Sequence, residues 1–270
     1  MQLAYSLGNH SARFAGDVTF ARHLRSAVAA GFTSVEVDDW TFAGGELRAD
    51  PHRLASLLSA HEAACATFGP LRVGDAASTE AAMDVLEPVL HAVHPPWVPT
   101  VVYDRGPTTV GSLRRCADRA REAGSGLAIE FIPWTAAATL DEARALAAAV
   151  GRPSVKILVD TFHVGCGSAT WTEVESLAAD EIAMVQLSDV RLPVVGDLQH
   201  ASSHRRLLPG DGDLDLSRFG RALVAKGWDG LVSLEVLSEE LRRQDPVRST
   251  SDAWRCGVGT VRGWARAEGP

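Results

Sequence analysis

The hydrophobic and polar positions of this chain repeat one unit, a short apolar run followed by an amphipathic stretch. Eight runs are rich in apolar and β-branched residues without strict alternation, which is typical of strands buried on both faces. They cover residues 3–7, 34–38, 63–68, 100–103, 127–131, 155–160, 182–187 and 231–236. Strands that alternate with helices predict a parallel sheet of the α/β class, and eight such units predict a closed (β/α)8 barrel.

Seven stretches with helical periodicity separate these runs, at residues 17–30, 51–61, 79–94, 111–123, 140–150, 172–179 and 216–226. Ser78 or Thr79 is the expected N-cap of the third helix. Neither a linker nor a low-complexity segment interrupts the pattern, so residues 1–270 are predicted to form a single domain. The connection at residues 191–213 is long and rich in Gly, Pro and His, and connections of that length are usually functional.

Composition and charge narrow the class of protein. The chain has 46% hydrophobic residues, a formal net charge of −8 and a pI of about 5.6. This balance argues against binding to nucleic acid or anionic membranes through overall charge, and the basic cluster at residues 204–206 is too short to reverse it. Apolar stretches fall short of the ~20 residues that span a bilayer. A small-molecule partner is expected, and homo-oligomerisation is left open.

Two further features concern the cellular compartment. The first residues lack the basic and long apolar regions of a secretory signal. The four cysteines, Cys65, Cys116, Cys166 and Cys256, show neither a CxxC pattern nor the spacing of a zinc site. A reduced, cytoplasmic location is the simplest interpretation.

Four polar residues lie at or near the ends of predicted strands: Glu130, Asp160, Gln186 and Glu235. Such a position has no packing explanation, and the carboxyl edge of a parallel sheet is where sites form. A single buried acid there could be a salt-bridged core residue. Three converging carboxylates would repel one another, and either raised pKa values or a cation must resolve the repulsion. A bound cation is the favoured hypothesis.

Five short motifs resemble the xylose-isomerase-like superfamily of TIM barrels, the sugar-phosphate isomerase and epimerase group. They are Glu130-Phe-Ile-Pro133, Asp160-Thr-Phe-His163, Gln186-Leu-Ser-Asp189, Pro209-Gly-Asp-Gly212 and Ser233-Leu-Glu235, in family order and with family-like spacing. The resemblance extends over nearly the whole chain. It implies a single (β/α)8 TIM barrel that performs metal-dependent chemistry on a small substrate.

Carried over to this sequence, the resemblance implies that Glu130, Asp160, Gln186 and Glu235 ligate one divalent ion. Gln186 departs from the epimerase pattern, which has His at this position, and resembles instead the 3-dehydroshikimate dehydratase branch. An amide oxygen in place of imidazole makes the site all-oxygen, which suits Mn²⁺ or Mg²⁺ more than Co²⁺ or Zn²⁺.

Four other residues are candidates for binding or catalysis. His163 lies just beyond the sixth strand, where it could act as an acid/base group or bind substrate. The family pattern places an arginine over the site, with Arg206 favoured over Arg205, and a guanidinium there could hold a substrate carboxylate bidentately. Glu36, on the second strand, either faces the barrel mouth as a substrate ligand or is a solvated acid.

The leading functional prediction is dehydration of a small polyhydroxylated cyclic ketone such as 3-dehydroshikimate, with His163 as the base. The alternative is a sugar isomerase or epimerase in which Glu130 and Glu235 act from opposite faces of the substrate, and dehydration of an inosose lies between the two. From a different class, a barrel that has lost catalysis and only binds a ligand would show a broken ligand set, whereas all four positions here carry oxygen donors.

Overall fold

The strands form one closed parallel barrel. The computed structural model describes residues 1–14 and 19–266, apart from the side chain of Arg266. Within these residues the strands are β1 (Gln2–Ser6), β2 (Ser34–Asp38), β3 (Ala64–Gly69), β4 (Leu71–Val73), β5 (Trp97–Val102), β6 (Gly126–Glu130), β7 (Val155–Asp160), β8 (Ile182–Leu187) and β9 (Leu231–Leu234). β3 corresponds to the third predicted strand, β4 follows it and was not predicted, and both pair with β5. β1 pairs with β2 and β9, so eight strand positions close the ring.

The main helices lie between the strands along the chain, except that the last two follow β9. They are α1 (Phe20–Ala30), α2 (Asp39–Ala43), α3 (Pro51–Ala60), α4 (Ala76–Val93), α5 (Thr109–Glu122), α6 (Leu140–Val150), α7 (Thr161–His163), α8 (Trp171–Ser176), α9 (Leu198–His204), α10 (Leu216–Ala225), α11 (Glu239–Arg242) and α12 (Pro246–Arg266). The predicted (β/α)8 barrel is confirmed. Within the described residues, none of these helices is both long enough and apolar enough to cross a membrane.

Several predicted boundaries differ from the structure. The predicted start of the first helix at residue 17 lies outside the described residues, and α1 begins at Phe20. α4 begins earlier than predicted because Asp75, rather than Ser78 or Thr79, is its N-cap and accepts the Ser78 N–H. The predicted helix at residues 172–179 ends at Ser176, where the backbone turns extended at Leu177.

The longest helix, α12, was not predicted. Its sequence contains three glycines, which disfavour helix in isolation. Tertiary contacts determine its fold, because α12 packs against α1 and α10. Trp264 of α12 lies so close over Gly220 of α10 that a Cβ atom there would fall 1.9 Å from the indole. Helix α9, inside the long connection at residues 191–213, was also not predicted.

The interior of the barrel has an apolar part and a polar part. Ala128, Leu158 and Met184 belong to a buried apolar cluster inside the strand ring. Two residues further along the same strands are Glu130, Asp160 and Gln186. Side chains two apart on a strand share a face. The same inward face therefore begins as a packed apolar floor and ends in a polar cluster at the carboxyl edge.

Candidate functional site

A cavity of about 200 Å³ opens at the carboxyl ends of the strands. Glu130, His163, Arg206 and Glu235 line its floor together with other residues, and Trp40, Tyr103 and Trp134 are among those that line its walls. A larger cavity of about 380 Å³ lies at the opposite end of the barrel, but its lining is mainly Ala, Ser, Leu and Pro. The chemistry therefore points to the smaller cavity.

Glu130, Asp160 and His163 form a compact group at the base of the cavity. His163 Nε2 lies 3.3 Å from Glu130 Oε1 and 3.7 Å from Asp160 Oδ2. One ligand atom from each residue lies within 4.8 Å of the other two. Asp160 is oriented by the backbone, since its Oδ1 accepts the Phe162 N–H over 2.8 Å. This leaves Asp160 Oδ2 facing the group.

Arg206 crosses between two strand-end carboxylates. Its Nη1 lies 2.7 Å from Asp160 Oδ2 and 3.1 Å from Glu235 Oε2, and its side chain is only 2% exposed. Nε donates to the Ser202 carbonyl and Nη2 to the Ser202 hydroxyl. A guanidinium has five N–H groups. Four are engaged here, so in this arrangement the predicted bidentate grip on a substrate carboxylate has no free pair of N–H groups.

Gln186 joins the other side of the cluster. Its amide Nε2 donates to Glu36 Oε1 over 2.9 Å and to Glu235 Oε1 over 3.2 Å. Its Oε1 is buried and accepts no hydrogen bond from the described residues, and the same holds for Glu36 Oε2. The four strand-end residues predicted from the sequence are thus brought together by the barrel, with Glu36 as a fifth member.

Burial and like charge shift the protonation of this cluster. Burial raises the pKa of Glu235 well above its ordinary value, with Arg206 opposing the shift and the carboxylates of Glu36 and Asp160 adding to it. Burial also raises the pKa of Glu36 to about 6, partly offset by the hydrogen bond from Gln186. For Arg206, burial disfavours the charge, but Asp160 and Glu235 outweigh it and raise the pKa.

The residues fit a hard divalent ion. Three strand-end carboxylates and an amide oxygen supply the oxygen donors that Mg²⁺ and Mn²⁺ prefer. A buried amide oxygen without a hydrogen-bond donor is an unusual cost in a folded protein, and a cation would satisfy Gln186 Oε1. Burial raises the pKa values of Glu235 and Glu36, and neighbouring carboxylates add to both shifts. His163 Nε2 lies close enough to be a further ligand.

Two other predicted positions differ from the expectation. Arg205 is exposed and its Nη1 donates to the Val195 carbonyl, outside the residues that line the cavity, so of the two arginines Arg206 faces the site. Glu36 is 7% exposed and, like Gln186, does not line the cavity; its Oε1 accepts the Gln186 amide N–H. As placed, Glu36 is neither a solvated acid nor a residue of the cavity wall.

Two roles were not predicted from the sequence: the contact of Ser202 with Arg206, and the hydrogen bonds of the Asp189 carboxylate. Ser202 lies four residues before Arg206 and fixes its guanidinium. Asp189 anchors the long connection, because its carboxylate accepts the backbone N–H groups of Val190, Gly210 and Leu214. The spacing between Ser202 and Arg206 could have indicated the first contact. The QLSD and PGDG motifs contain Asp189 and Gly210, but the motifs alone did not indicate that these two residues are hydrogen-bonded.

The comparison with known proteins agrees with this geometry. Residues 24–256 match the family model described as a xylose isomerase-like TIM barrel. The chain belongs to this family. The resemblance seen in the sequence motifs is therefore confirmed.

Among its relatives, a 3-dehydroshikimate dehydratase of Pseudomonas putida is 24% identical over 147 residues, which cover 54% of this chain and 23% of that protein. An inosose isomerase of Halalkalibacterium halodurans is 26% identical over 148 residues, which cover 53% of this chain and 51% of the relative. The chain thus aligns with about a quarter of the first relative and half of the second. The relatives named are thus a dehydratase and an isomerase, in line with the predicted class of enzyme.

Among solved structures, an IOLI protein crystallised with a bound zinc atom superposes with a TM-score of 0.82 at 17% identity, covering 98% of this chain and 99% of the other. At this identity the likeness concerns the fold. The ion in that structure belongs to that protein.

Proposed function

We propose that this protein is a divalent-metal-dependent lyase that dehydrates a small polyhydroxylated cyclic ketone, with 3-dehydroshikimate as the leading substrate and protocatechuate as its product. The observation that carries the proposal is the all-oxygen set of Glu130, Asp160, Gln186 and Glu235 at one end of the barrel. The similarity to a 3-dehydroshikimate dehydratase supports the choice of substrate. Mn²⁺ or Mg²⁺ is the proposed ion, and Co²⁺ or Zn²⁺ would be weaker matches to oxygen ligands.

In the proposed reaction, the ion and the side chains have different tasks. A bound divalent ion would supply Lewis-acid polarisation of the substrate ketone. His163 Nε2 would take the proton from the carbon next to the ketone, and the released electron pair would form the carbon–carbon double bond as the β-hydroxyl group departs. The proton and the hydroxide leave as one water molecule, and loss of a further ring proton to the ketone oxygen gives the aromatic product.

The side chains around His163 suit a base. Glu130 Oε1, 3.3 Å from Nε2, would stabilise the imidazolium once it carries the proton. Trp134 contacts the ring edge-on, with the ring centroids 5.4 Å apart, and so restricts its orientation. A general base that is held in one orientation over the substrate contributes more than a mobile one.

The proposed partner is a small molecule because the cavity is narrow and aromatic-walled. Trp40 and Tyr103 are each more than half exposed at its rim, where a substrate ring could pack against them. Arg206 is proposed to act mainly by holding Asp160 and Glu235. Its remaining N–H group could make a single hydrogen bond to the substrate, instead of the bidentate grip expected from the sequence.

The test is a direct assay. Metal-stripped protein is incubated with 3-dehydroshikimate and with or without Mn²⁺, and the ultraviolet absorbance of the aromatic product is followed. We expect product only with the ion, and none with Asp160→Asn, while Asp104→Asn, which changes an exposed acid, should match the wild type. Isomerisation or epimerisation of ketohexoses or of an inosose, without any conversion of 3-dehydroshikimate, would replace this proposal with the isomerase or epimerase alternative. Dehydration of an inosose alone would keep the lyase and change the substrate.

A further inference from the structure

The contact between Gln186 and Glu36 joins two strands that are not neighbours in the barrel. β2 and β8 are separated by β1 and β9, yet Gln186 Nε2 lies 2.9 Å from Glu36 Oε1. The Ser6 hydroxyl donates to the same carboxylate oxygen over 3.3 Å. All three side chains are buried. A buried polar contact across the barrel constrains both of its partners.

The contact decides which end of the amide is available. An amide presents a donor nitrogen and an acceptor oxygen. Gln186 Nε2 faces the carboxylates of both Glu36 and Glu235. The reversed amide would place its oxygen against two carboxylate oxygens, which is repulsive. The nitrogen is therefore held, and Oε1 is the end that has no hydrogen-bond donor among the described residues.

We propose that Glu36 is a positioning residue of the metal site: it holds the Gln186 amide nitrogen so that Oε1 faces the ion. The proposal rests on the metal-dependent function above and deepens it. Neither Glu36 nor Gln186 lines the cavity, and Glu36 contacts the predicted ligand set through Gln186 Nε2. Outer partners of this kind orient metal ligands, and their loss typically costs about 10–100-fold in metal affinity.

Two local features support this role. The β2–β3 pairing shifts by one residue between Val35 and Glu36, and such bulges re-aim a side chain at the rim of a barrel. Ser6 pairs in register with Glu36 across β1 and β2, so the hydroxyl that donates to the carboxylate comes from the adjacent strand at the same level. The orientation of Glu36 is thus set by its own strand and by Ser6, independently of its contact with Gln186.

The test is a double-mutant cycle on metal affinity, measured without substrate. Mn²⁺ is titrated calorimetrically into metal-stripped wild type, Glu36→Ala, Gln186→Ala and the double variant. A buried negative charge attracts a cation whether or not Gln186 is present, whereas positioning operates only through Gln186. We therefore expect Glu36→Ala to weaken Mn²⁺ binding by about 10–100-fold in the wild-type background and to have little effect once Gln186 is absent.

Controls separate this role from others. Ser6→Ala removes the other donor to Glu36 and leaves the Gln186 contact, so it should change affinity far less. If Glu36→Ala fails to fold, Glu36→Met provides the same cycle, because its side chain has a similar length but offers no oxygen to accept the Gln186 N–H. An equal loss of Mn²⁺ affinity with and without Gln186 would mean that Glu36 acts as a direct ligand or only through its charge, and would overturn the proposal. No loss of affinity at all would also overturn it.

The outcome is distinct from that of the proposed reaction. Wild-type protein that binds Mn²⁺ with the expected coupling but leaves 3-dehydroshikimate unchanged would overturn the reaction and keep the role of Glu36. Wild-type protein that binds no divalent ion would overturn both.

Discussion

Arg206 donates from Nη1 to Asp160 Oδ2 over 2.7 Å, and both side chains are almost completely buried. A charged pair in this setting is costly to break, because the remaining partner stays buried without compensation. Here the pair lies inside a cluster that also contains Glu130 and Glu235. The guanidinium therefore compensates part of the negative charge of the cluster, and a metal ion would compensate another part.

Removing Arg206 should make the fold depend on the ion. Arg206→Met keeps the packing on Phe162, where the guanidinium carbon lies 4.9 Å from the ring centroid, but removes the charge. We expect a loss of roughly 3–5 kcal/mol of stability without metal and a larger rise in Tm on adding Mn²⁺ than in wild type. Thermal unfolding with and without Mn²⁺ measures both. Arg205→Met is the matched control, and an equal response of the two variants would contradict the prediction.

Replacing Gln186 should change the choice of ion. Gln186→His puts an imidazole nitrogen where an amide oxygen stands, and imidazole is the softer ligand. The variant should still bind a divalent ion but shift its preference from Mn²⁺ toward Zn²⁺. Competition titrations with the two ions give the ratio of dissociation constants. An unchanged ratio would mean that Gln186 does not contact the ion.

Removing His163 should slow the chemical step. His163→Ala should lower kcat on 3-dehydroshikimate by roughly 10²–10⁴-fold if the imidazole is the general base, with a smaller effect on KM. His91→Ala, at an exposed position of α4, is the control. Metal content must be measured in parallel, since His163 Nε2 lies near Glu130 and Asp160. A loss of activity that only follows a loss of metal would assign His163 to the ion instead.

Two buried histidines should make stability depend on pH. His10 and His23 stack with ring centroids 4.5 Å apart. Burial lowers the pKa of His10 to about 4, with Arg242 adding to the shift, and the pKa of His23 to about 3, with His10 adding to it. Unfolded imidazoles titrate near 6.5. The unfolded chain therefore takes up protons first, so this contribution is complete above pH ~6.5 and is lost as the pH falls toward about 4 and 3.

His23→Phe keeps a ring at this position and removes one titrating group, so it should lose less stability between pH 7 and pH 4 than wild type. Denaturant unfolding across this range gives the difference. The buried carboxyls Glu36 and Glu235 act in the opposite direction, because their raised pKa values favour the folded state as the pH falls. Wild type and His23→Phe share these carboxyls, so the difference between their pH profiles of stability tests the prediction. Identical pH profiles would contradict the prediction.

The strands and the strand-end residues could be predicted from the sequence because an apolar run that ends in a polar residue is visible within a few positions. The run at residues 155–160 is apolar apart from Lys156 until it reaches Asp160, and in the barrel Asp160 joins the polar cluster. Tertiary contacts determined what the sequence could not indicate. Gln186 meets Glu36 from 150 positions away in the chain, and nothing local marks that pair. Helix α12 likewise forms because α1 and α10 cover it, against the preference of its glycines.

The anchoring of the long connection by Asp189 has a consequence for how the family can vary. The Asp189 and Leu207 backbones exchange two hydrogen bonds, and the Asp189 carboxylate ties Gly210 and Leu214 to the same point. The stretch around Val195, which is 74% exposed, lies outside these ties. Residues can therefore be inserted or deleted near Val195 while Arg206 keeps its place. This makes the stretch an interchangeable module whose sequence can be redesigned without rebuilding the site around Arg206.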